Sequence, residues 1–263
     1  KESLVAGGPL FKSVLARSEG KLLPIDSEHS AIWQATRCGH PCEVRKILLT
    51  SSGGPFRTWP KEKFREITVE AALNHPTWKM GPKITIDSAT LANKGLEVIE
   101  AVYLFEVAPE QIEVVIHPQS VIHSMVEFTD SSTIAQLSLP DMRLPITYAL
   151  FFPERVESDF GRIDWQELSS LTFEAPDMDR FPALRLAYQA VRTGGTAPAV
   201  YNAANEVAVA GFLEGVVSFT SISDIIADTL DELVQVTNPE LDDILEADRK
   251  ARDIARRVLE KVT

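Results

Sequence analysis

Two short β-type runs separated by only four polar residues constrain the fold of this chain more than any other feature. Residues 121–128 are rich in β-branched and aromatic side chains, residues 133–139 form a second β-type run, and the two flank Thr129-Asp130-Ser131-Ser132. A polar connection of this length is typical of an antiparallel hairpin. The pattern therefore predicts a sheet that contains antiparallel pairing.

The rest of the chain predicts the type of sheet that contains this hairpin and the domains into which the chain divides. Three further β-type runs, residues 47–51, 83–87 and 113–117, alternate with helical stretches, so we expect a mixed sheet. Proline, glycine and polar residues punctuate 153–176, and helical patterns follow at 181–192, 197–213 and 241–262. The prediction is an α+β fold with a mixed β-sheet catalytic domain and flanking helices (1–151), a linker (152–177) and a C-terminal α-helical bundle domain (178–263).

Two carboxylates follow the apolar segment Leu22-Leu23-Pro24-Ile25. Extended backbone would place Asp26 and Glu28 on one face, and Glu97 in Asn93-Lys94-Gly95-Leu96-Glu97 is a candidate third ligand. Hard oxygen ligands of this kind suit Mg²⁺ or Mn²⁺. The alternative is that Asp26 and Glu28 are ordinary N-terminal helix residues.

Polar donors follow two of the predicted strands. Thr50-Ser51-Ser52-Gly53-Gly54 and Asp87-Ser88-Ala89-Thr90 supply hydroxyls and close-approaching backbone, and Asn93 and Lys94 lie shortly downstream. Ser52, Ser88, Asn93 and Lys94 together would suit a phosphomonoester. Ordinary turns remain the alternative.

The segment between Ser52 and Lys83 ends in His75-Pro76-Thr77-Trp78-Lys79-Met80-Gly81. Because candidate site elements bracket it, it is predicted to act as a lid carrying Trp78. A packed helix followed by a turn is the open alternative.

Charge and composition exclude several classes of partner. The chain has 26 basic and 38 acidic residues, a formal net charge of −12, and no basic block, which argues against nucleic acid. No apolar run is long enough to span a membrane. Two cysteines do not make a disulfide framework, so a reducing compartment is expected. A small-molecule ligand is the favoured partner.

Several residue blocks, taken in order, resemble the 1-deoxy-D-xylulose 5-phosphate reductoisomerase family. The likeness covers essentially the whole chain, and its blocks are Lys1 to Gly8, Asp26 to His29, Leu49 to Phe56, His75 to Gly81, Asp87 to Glu97, His117 to Met125 and Asn202 to Glu206. The resemblance implies an NADPH-dependent oxidoreductase that converts 1-deoxy-D-xylulose 5-phosphate to 2-C-methyl-D-erythritol 4-phosphate in non-mevalonate isoprenoid synthesis. It also implies a homodimer. Together with the reducing compartment expected from the cysteines, we expect the bacterial cytoplasm, with a plastid as the open alternative.

The resemblance assigns roles to individual residues. The metal ligands for Mg²⁺, Mn²⁺ or Co²⁺ are Asp26, Glu28 and Glu97, and these three with Lys1 form the catalytic set. Beyond the resemblance, our hypothesis is that Glu28 accepts a proton, and the open alternative is that it serves as a ligand only. The substrate contacts, for a phosphorylated ketose, are Lys1, Ser27, Glu28, Ser52, His75, Ser88, Asn93, Lys94 and Glu97. The cofactor contacts are Glu2, Gly81 and Met142.

The family's glycine-rich dinucleotide-binding domain precedes the segment that begins at Lys1, and no Gly-x-Gly-x-x-Gly motif occurs in these residues. We therefore expect the chain as given to bind NADPH weakly and to show little activity by itself. Two other functions stay open from the residues alone. One is a non-catalytic acidic binding or assembly module, and the other is a different metal-dependent phosphosugar isomerase or aldolase.

Overall fold

The computed structural model describes residues 1–75 and 77–262. Its strands are β1 (Val44–Ser51), β2 (Ile112–Ile116), β3 (Ile122–Phe128) and β4 (Thr133–Leu137). Its α-helices are α1 (Glu2–Leu15), α2 (Ser27–Thr36), α3 (Val69–Leu73), α4 (Pro82–Ala89), α5 (Ala92–Phe105), α6 (Arg143–Phe151), α7 (Pro182–Thr193), α8 (Ala197–Leu213), α9 (Ser221–Glu232) and α10 (Leu241–Val262). Short 3₁₀ helices cover Pro41–Glu43, Lys61–Glu66 and Pro109–Gln111.

The four strands form one mixed sheet in the order β2-β1-β3-β4. β1 is parallel to β2, with Leu49 opposite Val114, and antiparallel to β3. β3 and β4 form the predicted hairpin, in which Met125 lies opposite Ala135. The prediction of a mixed sheet with helices around it is confirmed.

The predicted strand at 83–87 is wrong, because these residues lie in helix α4. β-branched Ile84, Thr85 and Ile86 resemble a strand in sequence. Pro82 at the first helical position and the Thr85 hydroxyl, which donates to the Gly81 carbonyl at 2.8 Å, instead favour a helix.

The predicted helical tail is confirmed, and α8 and α10 have the predicted bounds. Val200 and Ala203 of α8 pack against Ala247 and Ala251 of α10 in a buried cluster. Small side chains on both helices allow this close approach, and the burial of their apolar surface stabilises the pair.

Contacts divide the chain into two compact units, each assembled from separated segments. The helical unit comprises residues 1–18, 53–103 and 177–263, and the sheet unit comprises residues 19–52 and 104–176. The predicted division into 1–151, 152–177 and 178–263 follows sequence order and stays a prediction. Between α6 and α7 the described residues form turns and one isolated bridge, between Ile116 and Glu174.

Packing within each unit positions the elements that carry the candidate site residues. In the sheet unit, α2 packs on β3 and β4, and the Trp33 ring lies 4.9 Å from Tyr148 and 4.6 Å from Phe152. In the helical unit, a Cβ at Gly95 would lie 2.6 Å from the Cβ of Ala187 and 3.0 Å from Tyr201 Oη. Glycine therefore lets α5 approach α7 and α8 closely.

Candidate active site

The acidic pair lies at the N-terminus of α2. Asp26 is the N-cap residue, and its Oδ1 accepts a hydrogen bond from the Glu28 backbone N–H at 3.2 Å. Glu28 is already helical, and its Oε2 accepts a 2.6 Å hydrogen bond from Ser27 Oγ. The predicted extended backbone across Asp26 and Glu28 is therefore wrong, because the helix begins between them. The open alternative, N-terminal helix residues, describes the local structure.

An ionised carboxylate offers about four lone-pair positions, so it can accept from more than one partner at once. Asp26 Oδ1, for example, also lies 4.0 Å from His29 Nδ1. The helix N-terminus also favours negative charge at this point. The local structure is therefore compatible with cation binding as well as with capping.

Glu97 is the centre of a polar cluster within the helical unit. It is 1% exposed, and its Oε1 accepts hydrogen bonds from Asn93 Nδ2 at 2.5 Å and from Lys1 Nζ at 3.3 Å. Its Oε2 accepts from Lys94 Nζ at 2.5 Å. The spacing along α5 places Asn93 and Lys94 beside Glu97. Three other predicted site residues thus meet around the buried carboxylate of Glu97.

Lys1 connects the start of α1 to this cluster. Its Nζ donates to Asn93 Oδ1 at 3.2 Å and lies 3.6 Å from Glu100 Oε2. Glu100 is 5% exposed and was missed by the sequence reasoning. Its position three residues after Glu97 on a helix was the available signal.

A second group of charged residues links α1 to α4 through ion pairs. Lys83 Nζ lies 2.7 Å from Asp87 Oδ2, one helical turn away, and 3.3 Å from Glu2 Oε1. Burial opposes the charge on Lys83, yet the carboxylates of Asp87 and Glu2 raise its pKa overall. Burial would raise the pKa of Glu2, but its own backbone hydrogen bond and Lys83 lower it overall.

Asp87 is buried and also accepts a hydrogen bond from a residue distant in the sequence. Asn205 Nδ2, on α8, donates to Asp87 Oδ1 at 2.8 Å across 118 residues of chain. Burial raises the pKa of Asp87, although Lys83 and Asn205 oppose that shift. The sequence reasoning missed Lys83, Asp87 and Asn205 as a connected group.

We expect Asp87→Asn to change how stability depends on pH. The folded-state pKa of Asp87 lies above the usual 3.8, so its contribution is fully present below pH 3.8 and is lost as pH rises through the folded value. The variant should therefore gain stability relative to the unchanged protein as pH rises from 4 to 7. Urea unfolding across this range measures the difference, and a difference that is constant with pH would contradict the expectation.

The predicted phosphate contacts are divided between the two units. Ser52 follows β1 in the sheet unit, whereas Ser88, Asn93 and Lys94 lie in the helical unit. A Cβ at Gly54, where φ is +70°, would lie 2.9 Å from the Ser88 carbonyl oxygen, so the glycine lets this loop approach α4. The joint role of these four residues stays a prediction.

His75 organises the segment predicted to act as a lid. Its Nδ1 accepts hydrogen bonds from the backbone N–H groups of Thr77 at 3.1 Å and Trp78 at 2.9 Å. Burial lowers the pKa of His75, which favours the neutral ring that such acceptance requires. Pro76 lies outside the described residues. The lid role of Trp78 stays a prediction.

The three predicted cofactor contacts lie at helix N-termini. Glu2 is the first residue of α1 and Gly81 is the N-cap of α4, both in the helical unit. Met142 is the N-cap of α6 in the sheet unit and is 38% exposed. Their roles towards NADPH stay predictions.

Among the described residues, every helix is too short or too polar to cross a bilayer.

Two family models match separate parts of the chain. Residues 22–105 match a model described as the 1-deoxy-D-xylulose 5-phosphate reductoisomerase C-terminal domain. Residues 137–254 match a model described as the DXP reductoisomerase C-terminal domain.

Curated reductoisomerases are similar over nearly the whole chain. The 1-deoxy-D-xylulose 5-phosphate reductoisomerase of Chlorobium chlorochromatii is 55% identical over 260 residues, covering 98% of this chain and 68% of its own length. That of Chloroherpeton thalassium is 54% identical over 252 residues, covering 96% and 65%. The chain spans about two thirds of the length of these relatives.

Solved structures show the same architecture. The enzyme from Zymomonas mobilis in complex with NADPH has a TM-score of 0.92 and 46% identity, covering 98% of this chain and 67% of its own. A DOX-P reductoisomerase crystallised with NADPH, fosmidomycin and magnesium has a TM-score of 0.92 and 42% identity, covering 98% and 68%.

Proposed function

Because this chain belongs to the 1-deoxy-D-xylulose 5-phosphate reductoisomerase family, we propose that it converts 1-deoxy-D-xylulose 5-phosphate to 2-C-methyl-D-erythritol 4-phosphate with NADPH and a divalent metal. This reaction belongs to non-mevalonate isoprenoid synthesis. The observation that carries the proposal is the 54–55% identity to curated reductoisomerases over 96–98% of the chain.

Asp26, Glu28 and Glu97 are the proposed ligands of Mg²⁺, Mn²⁺ or Co²⁺. All three offer carboxylate oxygens, which these hard cations prefer, and a relative has been crystallised with magnesium. A bound divalent metal polarises the carbonyl and hydroxyl oxygens of the substrate as a Lewis acid. Lys1 Nζ contacts Glu97 Oε1 and Lys94 Nζ contacts Glu97 Oε2, so a metal bound to Glu97 would compete with these ammonium groups and let them contact substrate.

The remaining residues are proposed to bind the substrate, and Glu28 is proposed to accept a proton from it. Lys1, Asn93 and Lys94 donate hydrogen bonds to substrate oxygens, and hydroxyls of Ser27, Ser52 and Ser88 with His75 complete the contacts to the phosphorylated ketose. Glu28 is the proposed acceptor of a substrate hydroxyl proton. Full turnover in Glu28→Gln would rule that role out.

NADPH supplies the hydride, and three contacts in this chain are proposed to orient it: Glu2, Gly81 and Met142. Trp78 and its segment would exclude water from the reacting substrate. Weak NADPH binding is expected of these 263 residues by themselves, because these three contacts do not replace a glycine-rich turn at a helix N-terminus. This stays a prediction.

A homodimer in the bacterial cytoplasm completes the proposal. β4 is an outer strand of the sheet, and Ile146, Leu150 and Phe151 on α6 expose apolar surface. Exposed strand edges and apolar patches favour association. The two curated relatives described above come from bacteria. Sedimentation velocity that gives only a monomer at micromolar concentration would contradict the dimer.

The reaction can be tested on the purified full-length protein with the phosphorylated ketose, Mg²⁺ and NADPH. We expect loss of absorbance at 340 nm and formation of the branched polyol phosphate, identified by NMR, only when all three are present. Conversion of the ketose without NADPH would instead indicate a phosphosugar isomerase or aldolase. No conversion under any condition would favour a non-catalytic module.

A further inference from the structure

A buried polar path runs from α8 to the beginning of α1 within the helical unit. The path consists of Asn205, Asp87, Lys83 and Glu2, joined by contacts of 2.8, 2.7 and 3.3 Å. Asn205 and Asp87 are 0% and 1% exposed, whereas the Glu2 side chain is 45% exposed. The path therefore leads from the helical core to an accessible carboxylate.

Each contact along the path restricts the next side chain. A buried carboxylate is costly unless it is paired and hydrogen-bonded, so Asp87 uses one oxygen for Asn205 and the other for Lys83. Two fixed partners leave Asp87 little rotational freedom. The position of the Lys83 ammonium is thus set from the core rather than by the surface.

Lys83 lies where two helices begin. It is the second residue of α4, two positions after the N-cap Gly81, and its partner Glu2 is the first residue of α1. One ammonium therefore links the N-termini of α1 and α4. The two residues proposed as cofactor contacts in this unit, Glu2 and Gly81, lie on the linked segments.

We propose that Asn205 is a positioning residue for NADPH binding, acting through Asp87 and Lys83 on Glu2 and Gly81. This inference rests on the proposed function, because it takes Glu2 and Gly81 as contacts to the cofactor. Because Asn205 is 0% exposed, its proposed effect is on the placement of the two contacts rather than through a contact of its own.

The same helix supplies a matched control. Asn202 lies on α8 and is 4% exposed, and its Nδ2 donates to Glu206 Oε1 at 3.0 Å rather than to the path. The Oδ1 atoms of both asparagines are buried without a hydrogen-bond partner among residues 1–75 and 77–262. Truncating either residue removes one buried amide from α8, but only Asn205→Ala breaks the path.

The test compares Asn205→Ala with Asn202→Ala in the full-length protein, using steady-state kinetics and thermal unfolding. We expect Asn205→Ala to raise the KM for NADPH about fivefold, the change that follows if the free energy of one hydrogen bond is transmitted in full to cofactor binding, with kcat changed less than about twofold. Asn202→Ala should lower Tm comparably and leave the KM for NADPH unchanged. Equal KM values in the two variants would overturn the proposal.

A second variant, at a more exposed residue, tests the proposal if Asn205→Ala does not fold. Lys83→Gln breaks the path at a side chain that is 33% exposed. It should raise the KM for NADPH at least as much as Asn205→Ala, and an unchanged KM would overturn the proposal. Failure of the proposed function itself is distinguishable, because the unaltered protein would then not consume NADPH with the ketose.

Discussion

Glu97→Gln is expected to weaken Mn²⁺ binding by at least about a hundredfold and to abolish measurable turnover. Loss of a partner that only supports a ligand already costs about 10–100-fold in metal affinity or activity, and we propose that Glu97 binds the metal directly. Glutamine keeps the size but removes the charge and one of the two acceptor oxygens, so it can accept a hydrogen bond from Asn93 or from Lys94 but not from both. Titration followed by the EPR signal of free Mn²⁺ measures the affinity.

Glu100→Gln is the matched control for this substitution. Glu100 lies on the same helix, is 5% exposed and has an Oε2 atom 3.6 Å from Lys1 Nζ, but it is not a proposed ligand. We expect its Mn²⁺ affinity to stay within about threefold of the unaltered protein. A Glu97→Gln variant that binds Mn²⁺ as tightly as this control would exclude Glu97 from the site.

Lys83→Met is expected to lower the free energy of unfolding by about 3 kcal/mol. Asp87 is 1% exposed, and breaking a buried ion pair from one side typically costs about 3–5 kcal/mol because the remaining charge has no counter-charge. For a chain of this size the loss corresponds to a fall in Tm of about 6–12 °C. Calorimetry at pH 7 measures it, and the loss should shrink at acidic pH, where Asp87 takes up a proton.

The double variant Lys83→Met with Asp87→Asn separates charge from packing. Asparagine can still accept the hydrogen bond from Asn205 but carries no charge, so the double variant should be more stable than Lys83→Met alone. This non-additivity is the signature of a direct interaction. A single variant within 1 kcal/mol of the unaltered protein would contradict the account of the pair.

The local patterns that were strong in sequence predicted their elements well. The polar connection 129–132 predicted the β3–β4 hairpin, and the apolar periodicity of α8 and α10 predicted both helices with their bounds. The prediction failed at 83–87, because β-branched residues dominate the local pattern although the Gly81-Pro82 pair starts a helix there. The predicted family is confirmed by close relatives over 96–98% of the chain.

The sequence could identify the candidate site residues but not their pairing. Asn93, Lys94 and Glu97 are close in sequence and meet because α5 is a helix. Asn205 and Asp87 are 118 residues apart, and nothing in either local pattern indicates that α8 packs on α4. Buried polar partners of this kind depend on tertiary packing, which a single sequence does not reveal.

Asp26 and Glu28 are distant in sequence from Glu97, and we propose that the three bind the same divalent metal, at which the ketose reacts. Anomalous diffraction from crystals of the full-length protein grown with Mn²⁺ tests this directly. We expect one strong peak with oxygen atoms of Asp26, Glu28 and Glu97 all within about 2.5 Å. A peak that lacks any one of these three carboxylates, or a Mn²⁺ ion bound elsewhere, would contradict the account.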